Sequence, residues 1–215
     1  MSAATEGTTK DRLREAAIAT VRERGIAGVS ARTVAANAGA NQASIYYHFG
    51  SLDALLSDAA QAATAGRVAA HRDRLAAVAS VSELVEVARS LHAEERELGN
   101  VTVLAQMLAG AQHDRVLAEG TTAALQLWID EVEATLQRLL AGSLLEELVD
   151  LPALARGVSA AFVGVELLDG SEDDGELPTL DALTQLAGLV QVVLDLGPVA
   201  GAAIRRHVKR STRDR

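Results

Sequence analysis

Residues 30–56 read SARTVAANAGANQASIYYHFGSLDALL, and their pattern predicts two short helices, a tight turn between them and the start of a third helix. Ser30 suits the N-cap of the first helix, because its hydroxyl can accept a hydrogen bond from an N–H group of the first turn. Apolar residues recur at helical spacing between Val34 and Ala38. Gly39 can adopt the left-handed conformation that commonly ends a helix.

The second helix of this stretch opens at Asn41 or Gln42. Ile45 and Phe49 lie one turn apart in it, so both can face inward together. Its other faces carry Gln42, Ser44, Tyr46, Tyr47 and His48. A helix, a glycine turn and a short polar helix make up the layout of a helix-turn-helix, whose second helix enters the major groove of DNA.

Aromatic residues are concentrated in the same place. The chain has five Phe, Trp and Tyr residues, and Tyr46, Tyr47 and Phe49 fall within four positions. Exposed Tyr and His side chains can donate hydrogen bonds to phosphate oxygens and base edges. We assign Phe49 to the core and predict that Tyr47 and His48 contact phosphates. The alternative is that all three aromatic rings fill a small core.

The run from Thr33-Val-Ala through Gly39 to Ser44-Ile-Tyr-Tyr-His-Phe follows an amphipathic helix and resembles the DNA-binding domain of the TetR family of transcriptional regulators. The resemblance covers about residues 9–56, roughly a quarter of the chain. It implies an all-helical homodimer that binds a palindromic operator in double-stranded DNA. It also implies that a small-molecule effector releases the protein from that operator.

The resemblance further implies which residues contact DNA. The matched positions are Ser30, Arg32, Thr33, Asn41, Gln42, Ala43, Ser44, Tyr46, Tyr47 and His48. Those before Gly39 would touch the DNA backbone and sometimes a base, and those at 41–44 would set the sequence preference. Those at 46–48 would contact phosphates or the thymine methyl group. The family often has lysines just after the Phe, where this chain has Gly50 and Leu52. We therefore expect a lower DNA affinity or a weaker dependence on salt than is usual.

Composition favours an all-α protein and excludes several classes of function. Hydrophobic residues make up 49% of the 215 and aromatic residues 2%, so the core must be built from Leu, Val and Ala. No cysteine is present, which excludes disulfides and thiolate metal sites. Residues 1–9 lack the apolar segment of a signal peptide, which predicts a cytoplasmic protein. With no phosphate-binding glycine loop, nucleophile elbow or zinc-ligand spacing, we predict neither an enzyme nor a cofactor.

Charge is divided unevenly along the chain, although the formal total is −9. Residues 1–50 hold six Arg or Lys against four Asp or Glu, a net charge of +2. Residues 51–204 have a net charge of −16, and residues 205–215 have a net charge of +5. DNA affinity depends on the charge of the contacting face, so the acidic total does not exclude a DNA-binding protein.

These observations predict four regions: a disordered arm (1–8), a helix-turn-helix head (9–56), a helical body for ligand binding and dimerisation (57–204) and a basic tail (205–215). The first helix should span Lys10 to Arg24, with Leu13, Ala17 and Val21 buried. Lys10, Arg12 and Arg14 would contact phosphates or form a solvated face. The other expected helices span 51–76, 81–98, 101–110, 113–140, 152–168 and 178–196, with an acidic loop at 169–176 and a short helix before the tail.

Two of these helices, 153–168 and 180–196, are apolar nearly all round, which predicts that they form the dimer interface. A rival interpretation makes 182–204 a membrane span, since a basic flank follows it. Gln185, Gln191, Asp195 and the Gly-Pro break argue against that interpretation. We therefore expect no membrane partner.

A ligand pocket inside the body would have to use the few large or polar residues available there. The candidates are His92, Gln106, Met107, Trp128, Phe162 and Glu166. The alternative is that Met107, Trp128 and Phe162 are ordinary core residues. The chain is thus predicted to be a ligand-released repressor. A DNA-binding architectural or interaction protein without small-molecule control is the alternative, and an activator would look the same in sequence.

Overall fold

The structure, a computed structural model, describes residues 8–168 and 178–195. Within those ranges the chain forms ten α-helices and one 3₁₀ turn at Ile26–Gly28, without any strand, so the all-α prediction is confirmed. The helices are α1 Thr9–Arg24, α2 Ala31–Asn37, α3 Gln42–Phe49, α4 Leu52–Ala77, α5 Val81–Glu97, α6 Asn100–Ala111, α7 Arg115–Leu140, α8 Leu144–Leu148, α9 Leu151–Leu168 and α10 Pro178–Leu194. The predicted arm before Thr8, the acidic loop, the segment after Asp195 and the basic tail lie outside the described residues.

The chain divides into two compact units. The head unit comprises Met1–Ala70 and Glu94–Trp128, and the body unit comprises His71–Ala93 and Ile129–Arg215. The head unit is therefore larger than the predicted helix-turn-helix head, because it also contains α6 and parts of α4, α5 and α7.

A single apolar core holds the head unit together. Leu13, Ala17 and Val21 of α1 are fully buried, as their spacing predicts, and they pack in one cluster with Val34 of α2 and Ile45 of α3. The rest of this buried cluster is Ala16, Ala35, Ala38, Leu55, Leu56, Ala59, Ala60, Met107 and Leu117. The core thus joins the helix-turn-helix to α4, α6 and α7.

The contact between α4 and α7 in the head unit is unusually close. Ser57 is buried, and its hydroxyl donates a hydrogen bond to the carbonyl oxygen of Val116 (2.9 Å). A Cβ atom added at Gly120 would lie 2.3 Å from Ser57 Cβ and 2.8 Å from its Cα. Because the nearby backbone could not accommodate such an atom, only glycine fits where these two helices cross.

The local signals of the helix-turn-helix are present as predicted. Thr33 N donates to Ser30 Oγ (3.1 Å), and Ala43 N donates to Asn41 Oδ1 (3.0 Å), so both short helices are capped. Gly39 lies in the turn with φ 59°. Ser51 also caps as predicted, since Ala54 N donates to its hydroxyl at 3.0 Å.

The body unit has a smaller buried cluster. Ile129, Leu136 and Ala155 are buried there, and Leu84, Val132, Leu151, Leu154 and Val158 pack against them while partly exposed. Arg138 donates to the carbonyl oxygens of Leu75 and Val78, at 2.7 and 3.2 Å, beyond the end of α4. That guanidinium satisfies carbonyl groups which the helix itself leaves without partners.

Two details of the body helices differ from the prediction. α7 begins at Arg115 and not at His113, because the Asp114 carboxylate accepts from Leu117 N (2.9 Å) and so caps the helix. The short helix α8 at Leu144–Leu148 was not predicted, since five residues are too few to show a helical period. Ser143 caps α8 by accepting from Glu146 N.

One described helix, α9, is long and apolar enough to cross a membrane, with 18 residues and a mean hydropathy of 1.5. Length and composition alone are weak evidence for a span. In this structure α9 carries Glu166, which is buried in the body unit beside His92. α10 has 17 residues and is shorter than the proposed 182–204 span, whose last nine residues lie outside the described part.

Candidate nucleic-acid interface

α3 separates an inward face from an outward face within eight residues. Ile45 is completely buried in the head core, and Phe49 is partly buried against it. Tyr46 and Tyr47 point the other way, with 55% and 85% of their surface exposed. Two large aromatic side chains are therefore open to solvent next to each other on this face.

The ten residues predicted to contact DNA all lie in α2, in α3 or at their N-caps. Eight of them are exposed, and Thr33 and Ser44 are partly buried. Three side chains already serve the local fold: Ser30 and Thr33 form a capping box, and Asn41 caps α3. The hydroxyl of Thr33 donates to Ser30 O and accepts from Ser30 N, both at 2.9 Å. The caps therefore fix the first turns of both helices at the surface.

The aromatic run of α3 is ordered by ring contacts. The rings of Tyr47 and His48 meet edge to face, with centroids 4.9 Å apart and planes at 79°. The rings of His48 and Phe49 are 6.3 Å apart, also edge to face. Phe49 packs against the core, the His48 ring contacts the Phe49 ring, and the Tyr47 ring contacts the His48 ring. Their hydroxyl and imidazole groups can donate to phosphate oxygens.

The basic residues of α1 divide into engaged and exposed groups. Arg14 pairs with Asp58 of α4 and with Asp11 (3.0 Å to Oδ1), and the hydrogen bond that it donates to Asp58 raises the pKa of its guanidinium. Lys10 lies 4.0 Å from the same Asp58 carboxylate and 5.3 Å from the Phe49 ring centroid. Arg12 is exposed. Arg14 thus joins α1 to α4, and Arg12 is the member of the three most open to a phosphate.

This clamp between α1 and α4 was missed by the sequence analysis. The spacing of Asp11 and Arg14 is typical of a helical ion pair, but Asp58 lies 44 residues from Arg14. The Thr8 cap also escaped the prediction. Its hydroxyl donates to Asp11 Oδ2 (2.6 Å), and this bond is the main cause of the lowered pKa of Asp11.

Gly50 ends α3, and it does so in a left-handed conformation. Its φ is 80°, and its N–H donates to Tyr46 O at 3.0 Å. A side chain there would be strained whatever space surrounds it. The position just after Phe49 is therefore set by the turn, and the expectation of weaker phosphate attraction at this point stays a prediction.

Comparison with known proteins agrees with this geometry. Residues 13–59 match the family model for bacterial regulatory proteins of the tetR family. The match covers α1 to α3 and the start of α4, so this region is similar to the DNA-binding domain of TetR-family transcriptional regulators. TetR-family regulators are transcription factors and not enzymes, which agrees with the prediction from the motifs. No curated protein sequence matches the chain significantly.

Solved structures show that the similarity in fold covers most of the chain. A TetR-family regulator from a Rhodococcus species has a TM-score of 0.65 at 22% identity, covering 87% of this chain and 98% of that one. The fatty acid degradation regulator FadR from Bacillus halodurans has a TM-score of 0.66 at 15% identity, with 85% and 95% covered. The multidrug binding protein EbrR, solved with malachite green, has a TM-score of 0.60 at 25% identity, with 88% and 100% covered.

The six residues predicted to bind a ligand are divided between the two units. Gln106, Met107 and Trp128 belong to the head unit, and His92, Phe162 and Glu166 belong to the body unit. Gln106 accepts a hydrogen bond from Ile26 N (2.9 Å), and Met107 is buried in the head core. Trp128 and Phe162 are partly buried. A ligand-binding role for each of them stays a prediction.

His92 and Glu166 are the two predicted ligand residues that the structure brings together. Nδ1 of His92 lies 3.2 Å from Oε1 of Glu166, and both side chains are almost completely buried. No group of three potential metal ligands occurs among the described residues. Elsewhere in the body unit, a groove of about 300 Å³ is lined by Ala79, Ser80, Val81, Leu139, Ala141, Gly142, Ser143, Gln191 and Leu194. None of the predicted ligand residues lines this groove.

Proposed function

We propose that this chain is a TetR-family regulator, a ligand-released repressor that binds a palindromic operator as a homodimer in the cytoplasm. The observation that carries the proposal is the outward face of α3, which presents two tyrosines, a histidine and a polar first turn on a buried anchor at Ile45. A short helix held in this way fits the major groove of DNA.

Roles within this interface follow from the chemistry of each side chain. Gln42 can form paired hydrogen bonds with adenine, Ser44 can accept or donate, and Ala43 can pack on a thymine methyl group. Tyr46, Tyr47 and His48 would bind phosphates, as would Arg32 and the capping residues Ser30 and Thr33, whereas Asn41 would help to set the sequence preference. Phosphate contacts set affinity and register, whereas base contacts set the preferred sequence.

Exposed aliphatic residues on α10 support the homodimer. Leu186, Leu189 and Val192 recur at three-residue spacing and are exposed, with Leu189 at 64%. Leu168, the last residue of α9, is 61% exposed. A contiguous apolar face on a protein of this size marks an interaction site. Pairing with the same helices of a second copy would bury it in a four-helix bundle.

The proposal includes a small-molecule effector. EbrR is described as a multidrug binding protein and FadR as a regulator of fatty acid degradation, so related folds include a protein that holds a large organic molecule. In this chain the buried His92–Glu166 pair would supply a polar anchor within the body unit. In one conformation of the dimer the two helix-turn-helix regions would not match the half-sites. An effector that binds this conformation more tightly would lower DNA affinity by the difference between its binding free energies for the two conformations.

Selection of bound duplexes from a random pool, at near-physiological salt, tests the proposal directly. We expect an inverted repeat to be enriched, and sedimentation should give twice the chain mass of 22.4 kDa. Enrichment of a single half-site would contradict the homodimer, and no enrichment would contradict the DNA-reading role. An operator that no screened effector releases would favour the architectural alternative.

Substitutions at α3 separate the two kinds of contact. Tyr47→Phe should weaken binding to all sequences alike and flatten its salt dependence, because a phosphate contact is lost. Gln42→Ala should relax the preference at one base position by about 1–3 kcal/mol with little change in the salt slope. Gln112→Ala is the matched control, since Gln112 is exposed at the end of α6, outside the helix-turn-helix.

A further inference from the structure

The 3₁₀ turn Ile26–Gly28, which connects α1 to the helix-turn-helix, is docked on α6. Ile26 N donates a hydrogen bond of 2.9 Å to Gln106 Oε1, and the two residues are 80 positions apart in the chain. Ile26 also packs against α6 through its side chain, because a Cβ atom at Gly110 would lie 3.2 Å from Ile26 Cγ1. One residue of the turn is therefore held by both its backbone and its side chain.

Two glycines permit this close approach. Gly25 has φ 65°, and a Cβ atom there would lie 3.0 Å from Gln106 Oε1. Gly99, the N-cap of α6, has φ 69°, and a Cβ atom there would lie 3.0 Å from Arg22 Cδ. A larger residue at either position would be strained in its backbone and would press on the side chain of Gln106 or Arg22.

A second contact lies at the start of α6. Arg22 Nη2 of α1 donates to Asn100 Oδ1 at 3.1 Å, and Asn100 Nδ2 donates to Glu95 Oε2 at 2.7 Å. Glu95 in turn accepts from Arg67 Nε of α4 at 2.6 Å. This polar chain runs from α1 through α6 and the end of α5 to α4, entirely within the head unit.

Together the two contacts constrain an orientation. Asn100 and Gln106 are six residues apart on α6, which corresponds to about 9 Å along the helix axis. One contact would allow the helix-turn-helix to pivot on α6, whereas two contacts separated along a rigid helix oppose that rotation. The turn leads directly to Ser30 and α2, and α2 packs on α1 and α3 in the head core.

We propose that Gln106 and Asn100 are positioning residues that fix the orientation of the helix-turn-helix on α6. The consequence for operator recognition rests on the proposed function. In a dimer, the orientation of each helix-turn-helix decides which spacing between half-sites the two copies can bind together. Gln106 then acts on the helix-turn-helix, in place of the ligand-contacting role that its position in the sequence suggested.

A distance measurement tests the orientation without DNA. The chain has no cysteine, so nitroxide labels attach only at the introduced pair Ala36→Cys on α2 and Thr102→Cys on α6, both exposed. Labelled chains are mixed with excess unlabelled protein, so that pulsed electron paramagnetic resonance records distances within one chain. We expect one narrow distance distribution in the parent and a broader or shifted one in Gln106→Leu.

Three further variants decide the cause of any change. Gln106→Glu keeps an acceptor oxygen for Ile26 N and should restore the narrow distribution. Gln112→Leu makes the same substitution at the exposed C-cap of α6 and should change nothing. Asn100→Ala removes only the second contact and should broaden the distribution less, since that hydrogen bond is exposed. An unchanged distribution in Gln106→Leu and Asn100→Ala, with both variants folded, overturns the proposal.

The selected operator supplies the functional readout. Base pairs are inserted one at a time between its half-sites, and affinity is measured for each spacing. Gln106→Leu should reduce the preference for the native spacing by about three- to tenfold, the scale of one lost hydrogen bond, and Gln106→Glu should retain it. An equal loss at all spacings would mean that Gln106 only stabilises the fold. If the parent selects no inverted repeat, the proposed function fails, and the distance measurement still decides the positioning role.

Discussion

The head and body units differ in how completely they bury their apolar residues. Among the described residues, the head unit buries sixteen hydrophobic side chains, and fourteen of them form one cluster. The body unit buries ten, and only three of them form a cluster, surrounded by partly exposed leucines and valines. α10 even directs leucine and valine outward. The head therefore carries a complete core of its own, and we expect the body to complete its core only against a second copy. The following four predictions test this contrast, from the largest effect to the smallest.

Removing the anchor of α3 should have the largest effect. Ile45→Ala leaves a cavity in a completely buried site, and such changes cost about 2–5 kcal/mol. Urea denaturation should show this loss in the free energy of unfolding, and operator binding should fall with the folded fraction. A loss below about 1 kcal/mol would show that the head core is not closely packed around α3.

Placing a charge on the outward face of α10 should break the dimer. Leu189→Glu puts a carboxylate where a partner copy would bury an exposed leucine, so sedimentation should show monomers at concentrations at which the parent is dimeric. The midpoint of thermal unfolding should also depend on protein concentration in the parent and not in the variant. Ala62→Glu, at an exposed site of α4, is the control. A dimeric Leu189→Glu protein would remove the contrast between the two units.

A methyl group at the α4–α7 crossing should cost less than the loss of Ile45. Gly120→Ala would bring Cβ within 2.3 Å of Ser57 Cβ, so the helices must separate, at about 1–3 kcal/mol measured by urea denaturation. Gly66→Ala on α4 is the matched control, because nothing lies within 4 Å of its added Cβ. That variant should be slightly more stable than the parent, since alanine favours a helix over glycine by about 1 kcal/mol. Equal effects at both sites would mean that the crossing is not tight.

The smallest expected effect is at the exposed start of α1. Folding lowers the pKa of Asp11, so its carboxylate stabilises the protein above the pKa it has when unfolded, and this contribution disappears as pH falls through the lower folded value. Asp11→Asn should therefore unfold at a slightly lower temperature than the parent near neutral pH, and the difference should vanish in acid. A difference that grows in acid would contradict the assigned sign.

The sequence predicted well what depends on neighbouring residues. Ser30 as a cap, Gly39 in the turn and Ile45 on the inward face follow from side-chain chemistry within four or five positions. The Arg14–Asp58 clamp and the bond from Ile26 to Gln106 could not be predicted, because they join residues 44 and 80 positions apart. Periodicity identifies the inward face of a helix, but it does not identify the helix against which that face packs.

Gln106 illustrates the same limit for function. As a polar residue on an apolar helix, Gln106 was predicted to contact a ligand. In the structure its side-chain oxygen accepts a hydrogen bond from Ile26 N. The set predicted to contact DNA is different, because a local motif defines it and all its members lie in two adjacent short helices and their caps. The residues predicted to bind an effector have no such motif, which explains why they are divided between two units.

The position of Trp128 has a practical consequence. It is the only tryptophan in the chain, it is partly buried, and it is the last residue of the head unit along α7. An indole in such a place emits light whose colour depends on how much water reaches it. The protein therefore carries its own optical reporter, and candidate effectors can be titrated against its fluorescence without any label.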